Sequence, residues 1–163
     1  MLKRETSFGY VYRLAKESEK MLQATLAGDT GTMEHILEQT HDLETPILSY
    51  NHETELTAVV NLAYLSARDI IVWNGKKKRE RLCGFSFLSG KSPAADGIIL
   101  ELKVDHSPEE AIEQIKEKNY MLRFTGNTSE HQKVKIRRVL LVGIGYDKET
   151  KKHRCKIEEI KLQ

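Results

Sequence analysis

Apolar residues recur along this chain at two periods, and the change from one to the other separates a helical amino-terminal stretch from a stretch that alternates strands with helices. Between Tyr10 and Ala27, the residues Leu14, Met21, Leu22 and Leu26 form a helical stripe that Gly28-Asp29 stops. A second helix fits Thr32 to His41. Pro46 then requires extended backbone, and Asn51 stands as the cap of a third helix, over 51–67, with Leu56, Val59, Val60, Ala63 and Tyr64 on one face. Strand patterns follow at Ile70–Trp73, Phe85–Leu88, Gly97–Val104, Lys135–Val142 and His153–Ile160, and Asp147-Lys148-Glu149-Thr150 reads as the turn of a closing hairpin. Ser107-Pro108-Glu109-Glu110 is a capping box with proline at the first helical position, which starts a helix over 108–120 closed by Tyr120. Along it Ala111, Gln114, Ile115 and Lys118 share a face, so the Gln114 amide is expected among apolar contacts against the sheet. The polar stretch Thr125 to Lys133 reads as a loop. These elements add up to an α/β fold: a mixed central sheet flanked by helices, with an amino-terminal helical segment.

One strand breaks its own pattern. Ile98 to Val104 is apolar except for Glu101 and Lys103, which lie two apart and therefore point to the same face. The run is bounded by Gly97 and Asp105 and reads as a central strand buried on both sides, where an unpaired charge costs several kcal/mol. Two readings remain open for the pair: a metal-ligating carboxylate beside a catalytic ammonium, or an internal ion pair at the strand's exit.

Composition narrows the choice only slightly. A chain of 163 residues with 39% apolar and 31% charged residues can form one domain with a real core. Its formal charge of +2 selects no partner, and Lys76-Lys77-Lys78-Arg79 and Arg137-Arg138 read as solvated faces. Cys83 and Cys155 lack metal or redox spacing, and the six histidines never fall at ligand spacing on one element, which argues against zinc. There is no P-loop and no apolar stretch long enough for a signal peptide or membrane span, so the cytoplasm is expected by default.

The order Ile99-Leu100-Glu101-Leu102-Lys103, a short acidic loop, then Glu109-Glu110-Ala111-Ile112-Glu113-Gln114-Ile115-Lys116-Glu117-Lys118-Asn119-Tyr120 resembles the PD-(D/E)XK nuclease superfamily. It is most similar to the branch found as the carboxyl-terminal domain of bacterial AAA-ATPase-like proteins. The likeness resumes at Ser49-Tyr50-Asn51-His52-Glu53, at Leu62 to Asp69, at Val139 to Ile144 and at Cys155 to Ile160, and so covers most of the chain. The resemblance implies a restriction-endonuclease-like domain over 49–163, with 1–48 as a helical remnant of the linker to an ATPase domain. It implies Mg²⁺-dependent hydrolysis of DNA phosphodiesters, an AAA-type ATPase as partner, and no membrane. Carried over residue by residue, Glu101 is the metal ligand, Lys103 the catalytic ammonium and Gln114 the helix residue that supports the site. Glu53 matches the family's acidic helix position; it either binds metal or is a surface carboxylate favoured by the helix dipole.

One expected residue is missing. The family's metal-binding Asp belongs on the strand before Glu101, and this chain has Leu82-Cys83-Gly84-Phe85-Ser86-Phe87 there. Asp96 lies five residues from Glu101 and should face the other side of the strand, and Asp69 precedes the first strand. Without that ligand Mg²⁺ binding and catalysis should fall severely. Ile70 to Gly90 departs from the family while both flanks match, which points to compensating frameshifts: read one base later, permitted codons for 80–90 restore an Asp across Gly84 and Phe85. The rival reading is a non-catalytic module that binds nucleic acid or protein and serves an AAA-type ATPase.

Overall fold

The structure, a computed structural model, describes residues 7–44, 53–65, 85–89, 94–118 and 135–162. Three helices come first: α1 (Ser7–Ala27), α2 (Thr30–Glu44) and α3 (Glu53–Ala63). Strands β1 (Phe85–Ser89) and β2 (Ala94–Val104), helix α4 (Pro108–Glu117), and strands β3 (Lys135–Asp147) and β4 (Lys152–Lys161) follow. The four strands make one sheet in the order β1-β2-β3-β4. β1 runs antiparallel to β2, β2 parallel to β3, and β3 antiparallel to β4. A parallel neighbour requires a crossover, and α4 supplies it between β2 and β3.

Strand alternation distributes the sheet between two apolar layers. Ile98, Leu100 and Leu102 of β2, with Leu140, Val142, Ile144 and Tyr146 of β3, pack against Met21 and Leu22 of α1, Met33 and Leu37 of α2, and Val59 and Val60 of α3. The intervening positions Ile99, Val139 and Leu141 pack on Ile112 and Ile115 of α4. The mixed sheet flanked by helices, with a helical amino-terminal segment, is therefore as the sequence pattern predicts. Polar ties lock the helices to the sheet and to one another. The Thr25 and Tyr64 hydroxyls lie 2.7 Å apart between α1 and the end of α3, and Arg138 of β3 donates to the Leu26 carbonyl of α1 at 3.0 Å.

Several details differ from the sequence reading. β2 begins at Ala94 rather than Gly97, with a register shift at Ala95/Asp96, and β3 continues beyond Val142 to Asp147. α4 ends at Glu117 with Lys118 as its C-cap, short of Tyr120. Its buried face is Pro108, Ala111, Ile112 and Ile115; Lys118 is exposed, because the helix rotates to put Ile112 rather than a lysine against the sheet. Arg137 and Arg138 are not merely a solvated pair, since both bind Asp96. Asn51, the strand at 70–73, the basic run at 76–79, Cys83 and the loop at 125–133 lie outside the described residues.

Candidate functional site

Glu101 sits in the middle of the sheet with no accessible surface. Its parity along β2 is that of Ile99, so it faces α4. There the Gln114 side chain comes down from the helix, and its Nε2 donates to Glu101 Oε1. The apolar surroundings expected for Gln114 are thus completed by a polar partner, which a half-buried amide beside a buried carboxylate requires. Lys103 follows on the same face, half-buried, and its charge is felt by the Glu110 carboxyl in the first turn of α4. The backbone N–H of Ser107 and the His106 ring hold that carboxyl below its usual range, with Lys103 contributing.

The loop between β2 and α4 fixes how closely the helix approaches these residues. Asp105 adopts a left-handed conformation (φ 58°), which Asp tolerates better than most residues. Its N–H donates to the Tyr146 carbonyl at 2.7 Å, and its Oδ1 accepts from the Lys148 N–H at 3.0 Å. The chain therefore turns at once, and Ser107 caps α4: its hydroxyl accepts from the Glu110 N–H at 3.2 Å, while the Glu110 carboxylate accepts from the Ser107 N–H at 3.0 Å. In β3, Gly143 and Gly145 stand beside Glu101 and Lys103 in the register. A Cβ at Gly143 would overlap the Pro108 carbonyl, and one at Gly145 would come within 2.6 Å of the His106 carbonyl oxygen. Glycine at both positions lets the start of α4 lie directly on the sheet.

The other candidates are placed differently. Glu53 opens α3, whose side chains from Leu56 onward pack on the sheet face opposite α4; the Glu53 side chain lies outside the described residues. Asp96 has the parity of Ile98 and Leu100, facing away from Glu101 as the spacing predicts. It is 4% exposed and takes bonds from Arg137 (2.6 Å) and Arg138 (3.1 Å). Burial works against its charge, but the two guanidinium groups outweigh burial and hold the carboxyl below its usual range. β1 is hydrogen-bonded to β2, with Phe85 paired to Leu100, and Phe85–Ser89 contains no carboxylate. Among the described residues, no group of three His, Cys, Asp or Glu side chains could hold a metal ion. Glu101 is one carboxylate donor, and the described residues do not by themselves fit an Mg²⁺ site.

A second cluster escapes sequence reasoning altogether. His41 of α2 and His153 of β4, separated by 112 residues, meet with Nδ1 and Nε2 3.2 Å apart, and the Tyr146 ring packs against both. No local spacing could reveal a contact between elements so distant in sequence. Within the described residues, no helix is long and apolar enough to cross a membrane. Comparison of the chain with family models, with curated proteins and with solved structures returns no match.

Proposed function

We propose that this chain is a restriction-endonuclease-like domain of the PD-(D/E)XK type that hydrolyses DNA phosphodiesters, with Glu101, Lys103 and Gln114 as the surviving part of its site. One observation carries the reading. The Glu-x-Lys strand and the glutamine helix, recognised separately in the sequence, meet through the bond from Gln114 to the buried Glu101. A buried carboxylate that a core could replace with leucine costs stability, and such a cost is most readily retained at a working site. Lys103, on the same face, would stabilise charge developing on the phosphate oxygens. Mg²⁺ is the ion the resemblance implies; because the described residues do not fit it, the activity expected is weak and no step is assigned to the metal.

A cleavage assay on supercoiled and linear DNA across a range of Mg²⁺ concentrations tests this. The expected result is slow, Mg²⁺-stimulated nicking that falls at least about tenfold in Lys103→Ala and in Glu101→Gln. Nicking that survives both substitutions would sink the assignment. That the described residues alone do not make up a metal-binding group favours a second reading, a non-catalytic module serving an AAA-type ATPase. DNA or protein binding that is independent of Mg²⁺, with no cleavage, would select it.

A further inference from the structure

The buried histidine pair joins α2 to β4 independently of any nuclease activity. His41 and His153 are 7% and 2% exposed, and their rings meet nearly edge to face, with centroids 5.0 Å apart. Only one proton can lie between His41 Nδ1 and His153 Nε2. Among the described residues, His153 Nδ1 is buried with no hydrogen-bond partner. If Nδ1 carried the His153 proton, it would be an orphaned buried N–H, the rarer and costlier fault. The favoured tautomer therefore has His153 Nε2–H donating to His41 Nδ1. Both routes to protonation are then blocked while the pair is closed. A proton on His153 Nδ1 finds no acceptor, and one on His41 Nδ1 breaks the bond that joins the rings.

We propose that this pair is an acid-sensitive latch that holds α2 against the β3–β4 hairpin at neutral pH and releases it when the rings charge. α2 supplies His41, β4 supplies His153, and Tyr146 of β3 packs its ring on both. Among the described residues, charged groups act on the pair in both directions and burial outweighs them. Glu38 and Asp42 of α2 favour a charge on His41, while Lys151 of the turn opposes it. Lys152 of β4, together with His41 itself, opposes a charge on His153. Asp105, Asp147 and Asp42 act on the Tyr146 hydroxyl, which is buried and has no hydrogen-bond partner among the described residues. Burial is the leading influence on both rings, pushing His41 down and His153 down to about 3. Once α2 lifts, water reaches both rings and they charge near the ordinary histidine value of about 6.5. Acid therefore favours the open form by about tenfold per pH unit for each ring that charges.

Hydrogen exchange of the α2 amides in the full chain, at about pH 7.5 and about pH 5 and corrected for the intrinsic rate at each pH, reads the latch directly. Protection across Thr30–Glu44 should fall at least about tenfold at the lower pH, with α4 protection unchanged, and the double variant His41→Leu/His153→Phe should lose that dependence. Equal protection of α2 at both pH values, or a variant that keeps the dependence, would overturn the proposal. Should the variant fail to fold, an imidazole NMR titration of the native chain decides, read against the exposed ring of His35. Rings of His41 and His153 that stay neutral at about pH 5 in the closed form support the latch, and rings half-charged near about pH 6.5 with α2 still protected refute it.

Discussion

Glu101 condenses the functional argument into one side chain. It is fully buried, it accepts from Gln114, and its strand neighbour on β3 is a glycine. If the carboxylate is there for chemistry, Glu101→Gln should remove activity while leaving stability unchanged or raised, because an amide of the same shape can still accept from Gln114 without a buried charge. A urea denaturation curve shifted down by more than about 2 kcal/mol in that variant would instead mark Glu101 as part of the scaffold. Gln114→Leu should behave in the opposite way. It leaves the carboxylate in place, removes one of its donors and should cost about 1–3 kcal/mol by the same measurement. The charged pair in β2 was legible in the sequence because two-residue spacing fixes a face. That Gln114 meets Glu101 was legible only as an expectation of a polar residue toward the sheet, since periodicity says which way a side chain points and not what it meets. Glu53 rested on the resemblance alone: α3, which it opens, packs on the sheet face opposite α4, and its own side chain lies outside the described residues.

The β2–α4 unit shows what local sequence can and cannot specify. Its start was readable from Ser107-Pro108-Glu109-Glu110, since a capping box and an N1 proline act within one turn, and the observed cap has both reciprocal bonds. The far end was not readable in the same way. Lys118 caps the helix, and Ile112 rather than Lys118 supplies the buried contact, a choice made by the sheet's shape. Nor did the strand pattern foretell the full length of β3, whose Gly143 and Gly145 interrupt the apolar run that marks a buried strand. Contact with α4 explains those glycines. Gly143→Ala should therefore be far more damaging than a typical strand Gly→Ala change. The added methyl meets backbone at Pro108, which no side-chain rotation can relieve, so a loss of about 3 kcal/mol or more in stability is expected, with activity falling in parallel as α4 is displaced from Glu101. A melting temperature within about 2 °C of the parent would show that the helix start can shift freely and that its seating does not define the site.

For the whole molecule, the decisive contacts are those that join distant stretches, and two of them titrate. Arg137 and Arg138 hold Asp96 across β2 and β3, and Arg138 also reaches the Leu26 carbonyl, so this cluster ties the sheet to α1. The His41–His153 pair ties α2 to β4. Sequence spacing could not pair these groups, which lie 41, 42 and 112 residues apart. Both Asp96 and His153 have folded pKa values below their ordinary ones, so the unfolded chain takes up the proton more readily and each contribution is complete above the ordinary pKa and lost as the pH falls. The windows differ. The histidine contribution declines from about pH 6.5 toward about 3, at roughly 1.4 kcal/mol per pH unit for one ring. The Asp96 contribution declines only below its ordinary value of 3.8. A plot of unfolding free energy against pH should consequently fall in two stages. His153→Phe should flatten the upper stage alone. Asp96→Asn should lower stability at neutral pH by about 2–3 kcal/mol, because it leaves Arg138 partly buried beside a neutral partner, and should flatten only the lower stage. If both substitutions instead altered the same pH range, the two ties would be one coupled unit, and separate attachment of α1 and α2 to the sheet would have to be abandoned.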